Sequence, residues 1–241
     1  GEETSNLRIA GVRPLLPPAC LQEELPREAS HEEVVRRGRD ELQAVLRGDP
    51  RLVLIVGPPS VDDPAACLEF FARLATLAAE VREHVLILAR APFIHHPDSD
   101  WAGLVKDPAG DGSCAINRGL RQARELLLQI NRLGLPTACE FADTITPQFF
   151  ADLLSWACVS AGSETLRELV SGLSMPVGLR ASVDDAVVAV QAIPPTGVAH
   201  SFLGVSGEGV CGIVQTSGNP DVHVYLRAMP PLAASAAKAK A

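Results

Sequence analysis

Three short apolar runs in this chain end on arginine: His84–Arg90 (HVLILAR), Pro176–Arg180 (PVGLR) and His223–Arg227 (HVYLR). A guanidinium pairs in a fork with carboxylate or phosphate oxygens, so arginines converging at one mouth make a clamp for an anion. Arg90, Arg180 and Arg227 are therefore the expected anion-binding set for a small-molecule ligand. A single arginine at such a place is more commonly an ion-pair partner, and only their convergence argues for a site. Glu140, at the end of Thr137–Phe141, and Asp143 just beyond it add carboxylates. His95 and His96 lie in HHPDSD, soon after Arg90. An imidazole titrates near neutrality and can act as acid or base without a metal. The expected catalytic residues are His95, His96 and Glu140, although HHPDSD also reads as a solvated loop.

These groups need elements to hold them. Leu52–Val56 (LVLIV) is an unbroken apolar run ending in Gly57-Pro58-Pro59, which reads as a strand buried on both faces, the habit of parallel sheets. An amphipathic stretch follows from Pro64 to about Arg82, then strand His84–Arg90, helix Asn117–Leu133, and strand Thr137–Phe141. A helix opened by Thr146-Pro147, strand Ala157–Ala161, helix Glu164–Ser171, strand Pro176–Arg180 and a helix from Ser182 to about Ala192 continue the alternation. Ser201–Val205 and Gly209–Gln215 read as a hairpin around SGEG, and His223–Arg227 as the last strand. Ahead of all this, residues 1–30 suit an extended arm, because LLPP and LPRE discourage helix. A helix from about His31 to Arg47 follows, with Ser30 as its N-cap.

The alternation predicts an α/β fold derived from the (β/α)8 TIM barrel but incomplete, with about six βα units, an N-terminal arm and helix, and an inserted β-hairpin. The expected division is 1–50 for arm and helix, 51–227 for the incomplete barrel, and 228–241 for a flexible tail. In such folds the chemistry sits at the C-terminal strand ends, where the arginines lie.

Composition narrows the field. The chain has 241 residues and a formal charge of −8, which argues against a general nucleic-acid binder. Aromatics make up 4%, so aliphatic side chains must fill the core. The six cysteines (Cys20, Cys67, Cys114, Cys139, Cys158, Cys211) are scattered with no CxxC, the pattern of reduced thiols acting as small hydrophobes. No apolar run approaches ~18 residues, and the first residues lack signal-peptide character, so no membrane partner and a cytoplasmic location are expected.

Several segments resemble one family, the class I microbial 3-deoxy-D-arabino-heptulosonate-7-phosphate (DAHP) synthases. They are GLRQARELLLQINRLGLPTACEFAD (Gly119–Asp143), ITPQFFADLLSWA (Ile145–Ala157), RELVSGLSMPVG (Arg167–Gly178), HSFLGV (His200–Val205) and TSGNPDVHVYLR (Thr216–Arg227). The resemblance implies a (β/α)8 barrel joining phosphoenolpyruvate to erythrose 4-phosphate with a divalent metal. Its site residues transfer unevenly. The family's GPCSIHD reads GPPSVDD, placing Pro59 where a metal-ligating cysteine is implied. The family's KPRT is replaced by His95-His96-Pro97-Asp98, its phosphate-binding arginine falls at Gly162, and its VGFKN lysine is Arg180. Arg90 and Arg227 match. No sequence resembling the family's last two barrel strands, which bring further metal ligands, follows Arg227. No metal and no cofactor are therefore expected.

Two functional expectations follow from these departures. One is a repurposed, metal-independent enzyme performing cyclisation, aldol-type or elimination chemistry on an anionic substrate in a specialised aromatic pathway. The other is a non-catalytic partner that docks onto a full-length synthase, for which Leu15–Pro18, Thr146-Pro147-Gln148 and Ser174 resemble arm and effector-region elements. Residual condensing activity is a further alternative. A homo-oligomer, or a hetero-oligomer with a related synthase, would cover an open barrel edge.

Overall fold

The computed structural model describes residues 5–93, 101–182 and 185–226. Six parallel strands form one sheet in the order β1 (Leu52–Val56), β2 (Val85–Arg90), β3 (Thr137–Glu140), β4 (Trp156–Ser160), β5 (Val177–Ala181) and β8 (Val222–Leu226). Helices α3 (Pro64–Val81), α4 (Ile116–Arg132), α6 (Glu164–Val170) and α7 (Ala186–Thr196) connect successive strands, and the short α5 (Pro147–Phe150) stands between β3 and β4. This is the expected incomplete barrel of α/β units. Among the described residues, the strands β6 (Ser201–Val205) and β7 (Cys211–Gln215) pair only with each other. Within that same set the hairpin forms no part of the six-stranded sheet.

Strand alternation sorts the core into two faces. Ile87, Ala89, Ala157, Val159, Val177 and Leu179 share one large cluster with the helices. Leu86, Leu88, Ala138, Trp156 and Cys158 form a second cluster on the concave side, with Val53, Ile55 and Tyr225 against it. Leu42 of α2 (Ala29–Leu46) belongs to this second cluster, so α2 closes the bottom of the half-barrel. There Gly38 passes so close that a Cβ would lie 2.5 Å from both Pro136 Cβ and Ser155 Oγ.

Three expectations need correction. The first thirty residues are not wholly extended: α1 spans Pro18–Glu24, with proline in the first turn, where its missing N–H costs no hydrogen bond. Helix α2 starts at Ala29 with Glu28 as N-cap rather than Ser30, and the Glu28 N–H donates to His31 Nδ1 at 2.8 Å. Helix α7 runs to Thr196 through Pro194 and Pro195 instead of stopping near Ala192. Among the described residues no helix is long and apolar enough to cross a membrane.

Candidate active site at the strand ends

Register decides which side chains meet. Arg90 follows Leu86 and Leu88 on the concave face of β2, and Glu140 follows Ala138 on β3. Glu140 pairs with Cys158, Cys158 with Gly178, and Gly178 with His223. One step nearer the mouth, Ser160 pairs with Arg180, and Arg180 with Tyr225. Arg90, Glu140, Ser160, Arg180 and Tyr225 thus emerge from one face of the sheet, at its C-terminal ends.

The structure brings two of the expected residues into direct contact. Arg180 Nη2 lies 2.5 Å from Glu140 Oε1, a bond that reaches from β5 to β3 across β4. The pair is partly shielded, with Glu140 17% and Arg180 34% exposed. Arg180 Nε is buried and has no partner among the described residues. Arg90 donates weakly from Nη1 to the Pro58 carbonyl at 3.4 Å. Gly57 lets the turn after β1 lie against the backbone at the end of β2, since a Cβ there would stand 1.9 Å from the Arg90 carbonyl oxygen. His95, His96 and Arg227 lie outside the described residues. Asp143 serves the loop instead: its carboxylate accepts from the Ile145 and Thr146 N–H groups and from Thr146 Oγ1, at 2.6–2.8 Å.

Beneath the mouth, Trp156 Nε1 donates to His223 Nε2 at 3.1 Å, and His223 Nδ1 faces the Asp221 carbonyl at 3.3 Å. These partners assign a neutral imidazole carrying its proton on Nδ1. Burial holds the His223 pKa below the ordinary histidine value, consistent with that form. The concave-facing Cys158 thiol is pushed up by burial and by the Glu140 charge. Cys139, on the opposite face, is raised to about 12, again mainly by burial. Both thiols remain protonated near neutrality and neither is an activated nucleophile.

An open cleft of about 450 Å³ lies between the β4–α6 and β5–α7 loops, lined by Ser160, Gly162, Arg180, Ser182, Asp185 and Val188 among others. Sequence reasoning missed Ser160, Ser182 and Asp185. Ser160 was within reach, because it continues the alternation Trp156, Cys158, Ser160 that points at the mouth.

Comparison with known proteins now bears on this geometry. Residues 30–237 match the DAHP synthetase I family. The chain belongs to that family. It is 43% identical over 232 residues to the Phe-sensitive phospho-2-dehydro-3-deoxyheptonate aldolase of Escherichia coli K12, covering 93% of this chain and 66% of that protein. It is 39% identical over 233 residues to the tyrosine-inhibited enzyme of Schizosaccharomyces pombe, covering 94% of this chain and 62% of the relative. A solved phospho-2-dehydro-3-deoxyheptonate aldolase from Francisella tularensis SCHU S4 superposes with a TM-score of 0.88 at 37% identity, over 91% of this chain and 66% of that one. The chain therefore spans just under two thirds of the length of these relatives.

The DAHP synthases are expected to use a divalent metal, and the described residues do not fit one. Pro59 carries no donor atom in its side chain, and such an ion needs several converging donors. Glu140 and Cys158 are neighbours across β3 and β4, but no group of three or more His, Cys, Asp or Glu side chains suited to a metal exists among the described residues.

Proposed function

We propose that this chain performs or supports the aldolase-type chemistry of the DAHP synthases, joining phosphoenolpyruvate to a short polyhydroxy aldehyde on the way to aromatic compounds. In the family that aldehyde is erythrose 4-phosphate. The observation that carries the reading is the emergence of Arg90, Glu140 and Arg180 from one face at the strand ends, within this family. Arg90 and Arg180 supply guanidinium forks for the carboxylate and phosphate of phosphoenolpyruvate. Glu140 pairs with Arg180 and competes with the anion for it. Arg227, which ends the run begun by β8, is assigned to the same anion, and His95 and His96 are candidates for proton transfer.

The test is direct. Incubating the full chain with phosphoenolpyruvate and erythrose 4-phosphate should release inorganic phosphate and form a 2-oxo-3-deoxy acid, and Arg180→Ala should abolish both. No product, together with no binding of phosphoenolpyruvate, would refute the reading.

A second reading is favoured by Pro59: metal-independent chemistry on an anionic substrate at the same mouth. Product formation undiminished by a strong chelator would support it over the metal-dependent form.

A further inference from the structure

Between β2 and α4 the chain passes through residues 101–114, and one buried carboxylate there lacks a full set of partners among the described residues. Asp107 is 6% exposed. Its Oδ2 accepts the Gly112 N–H at 3.0 Å, while Oδ1 is buried with no hydrogen-bond partner. A carboxylate taken out of water is costly unless its charge is met, and a single amide does not meet it.

A second carboxylate comes to the same place. Asp111 lies within hydrogen-bond reach of the Asp107 carboxyl, and its own Oδ1 accepts the Ser113 N–H at 2.9 Å. Gly110, between the two acids, has φ 65°, a left-handed turn that folds Asp111 back toward Asp107. Two carboxyl groups in contact need a proton or a cation between them. The Ser113 hydrogen bonds, first among the causes, hold the Asp111 carboxyl below the usual carboxylate range. Asp111 is exposed and therefore anionic near neutrality, which favours the cation.

Hard cations take oxygen ligands from such loops. Asp107, Asp111 and Gly112 have the spacing of the first, fifth and sixth positions of an EF-hand loop. Ala109 and Arg118 stand where that loop would bring further carboxylates. Water must then complete the shell, so the affinity belongs at the weak end, about 10⁻⁴–10⁻³ M.

We propose that Asp107 Oδ1 and Asp111 Oδ2 bind calcium and fix the loop between β2 and α4, with no ligand drawn from the strand-end mouth. Calcium chloride titrated calorimetrically into the full chain should reveal one saturable site in that range. Asp111→Asn, a change at an exposed side chain, should weaken it about tenfold or more. Trp101 gives a second reading, because its Nε1–H donates to the Asp107 carbonyl at 2.6 Å. Terbium in place of calcium should luminesce on indole excitation, and Trp101→Phe should remove most of that signal. No saturable calcium uptake up to about 10 mM, well above the weak limit for such loops, overturns the proposal and leaves the pair sharing a proton. Uptake unchanged in Asp111→Asn overturns it as well, since the ion then sits elsewhere.

Discussion

Arg180 has two competing partners, Glu140 and any bound anion, and the competition has a sign. Removing the guanidinium with Arg180→Ala should weaken phosphoenolpyruvate binding by about tenfold or more, since contacts of this kind contribute roughly 1.5–3 kcal/mol. Glu140→Gln should act oppositely, strengthening binding of the anion by freeing Arg180. Calorimetric titration of both variants reads the two directions, and weakening in both would show that Glu140 matters chiefly for placing Arg180. Single residues also shape the response to pH. His31 and His223 both have pKa values lowered chiefly by burial, so the folded chain keeps them neutral where the unfolded chain takes up protons. Their contribution to stability is complete above about pH 6.5, the unfolded value, and declines as pH falls below it. Urea unfolding of His223→Gln against wild type at about pH 7.5 and 5.5 should show a shallower loss in the variant. Arg180 was legible from its place at the end of an apolar run. Its pairing with Glu140 was not, because that contact crosses an intervening strand and depends on two registers that local pattern does not encode.

Helix placement depends on a few buried polar anchors and close backbone approaches. Arg124 of α4 is fully buried and donates to the Leu25 and Phe149 carbonyls at 2.8 Å and to both oxygens of Asp152 at 2.8 and 2.9 Å. It joins α4 to the segment after α1 and to the turn after α5. Arg124→Ala would strand Asp152 and several carbonyls, with an expected loss of about 3–5 kcal/mol in the unfolding free energy measured with urea. Gly178 plays the corresponding part in the sheet: a Cβ there would lie 2.6 Å from Trp156 Cζ2 and 2.8 Å from Tyr225 Cβ. Gly178→Ala should cost about 1–3 kcal/mol in the same measurement by overfilling the concave layer. The parallel strands were legible because they are short apolar runs between turn residues. Helix α1 was not, because Pro17 and Pro18 read as breakers when Pro18 in fact opens a helix. The N-cap of α2 was displaced for a similar reason: Ser30 is the standard capping residue, but His31 folds back to accept the N–H of Glu28.

At the scale of the molecule, the described sheet is open, with β1 and β8 as its edges. On β1, Leu52 and Leu54 are 67% and 47% exposed, an apolar pair beside unpaired backbone. Such an edge promotes association between chains. Leu52→Lys with Leu54→Lys should reduce concentration-dependent association in sedimentation velocity without lowering the unfolding midpoint. The barrel-like plan was legible from the βα rhythm. The independence of the hairpin was not, since strand pattern alone does not say which edge a hairpin joins. Trp156 lies in the concave layer, 3% exposed, with its ring edge-to-face against Tyr225 and its indole N–H bonded to His223, two alternations below Ser160 and its register partner Arg180. Its excited state therefore senses the electric field of whatever enters above it. With Trp101 changed to phenylalanine, the chain has one indole left, a built-in optical gauge of occupancy at the mouth that needs no label.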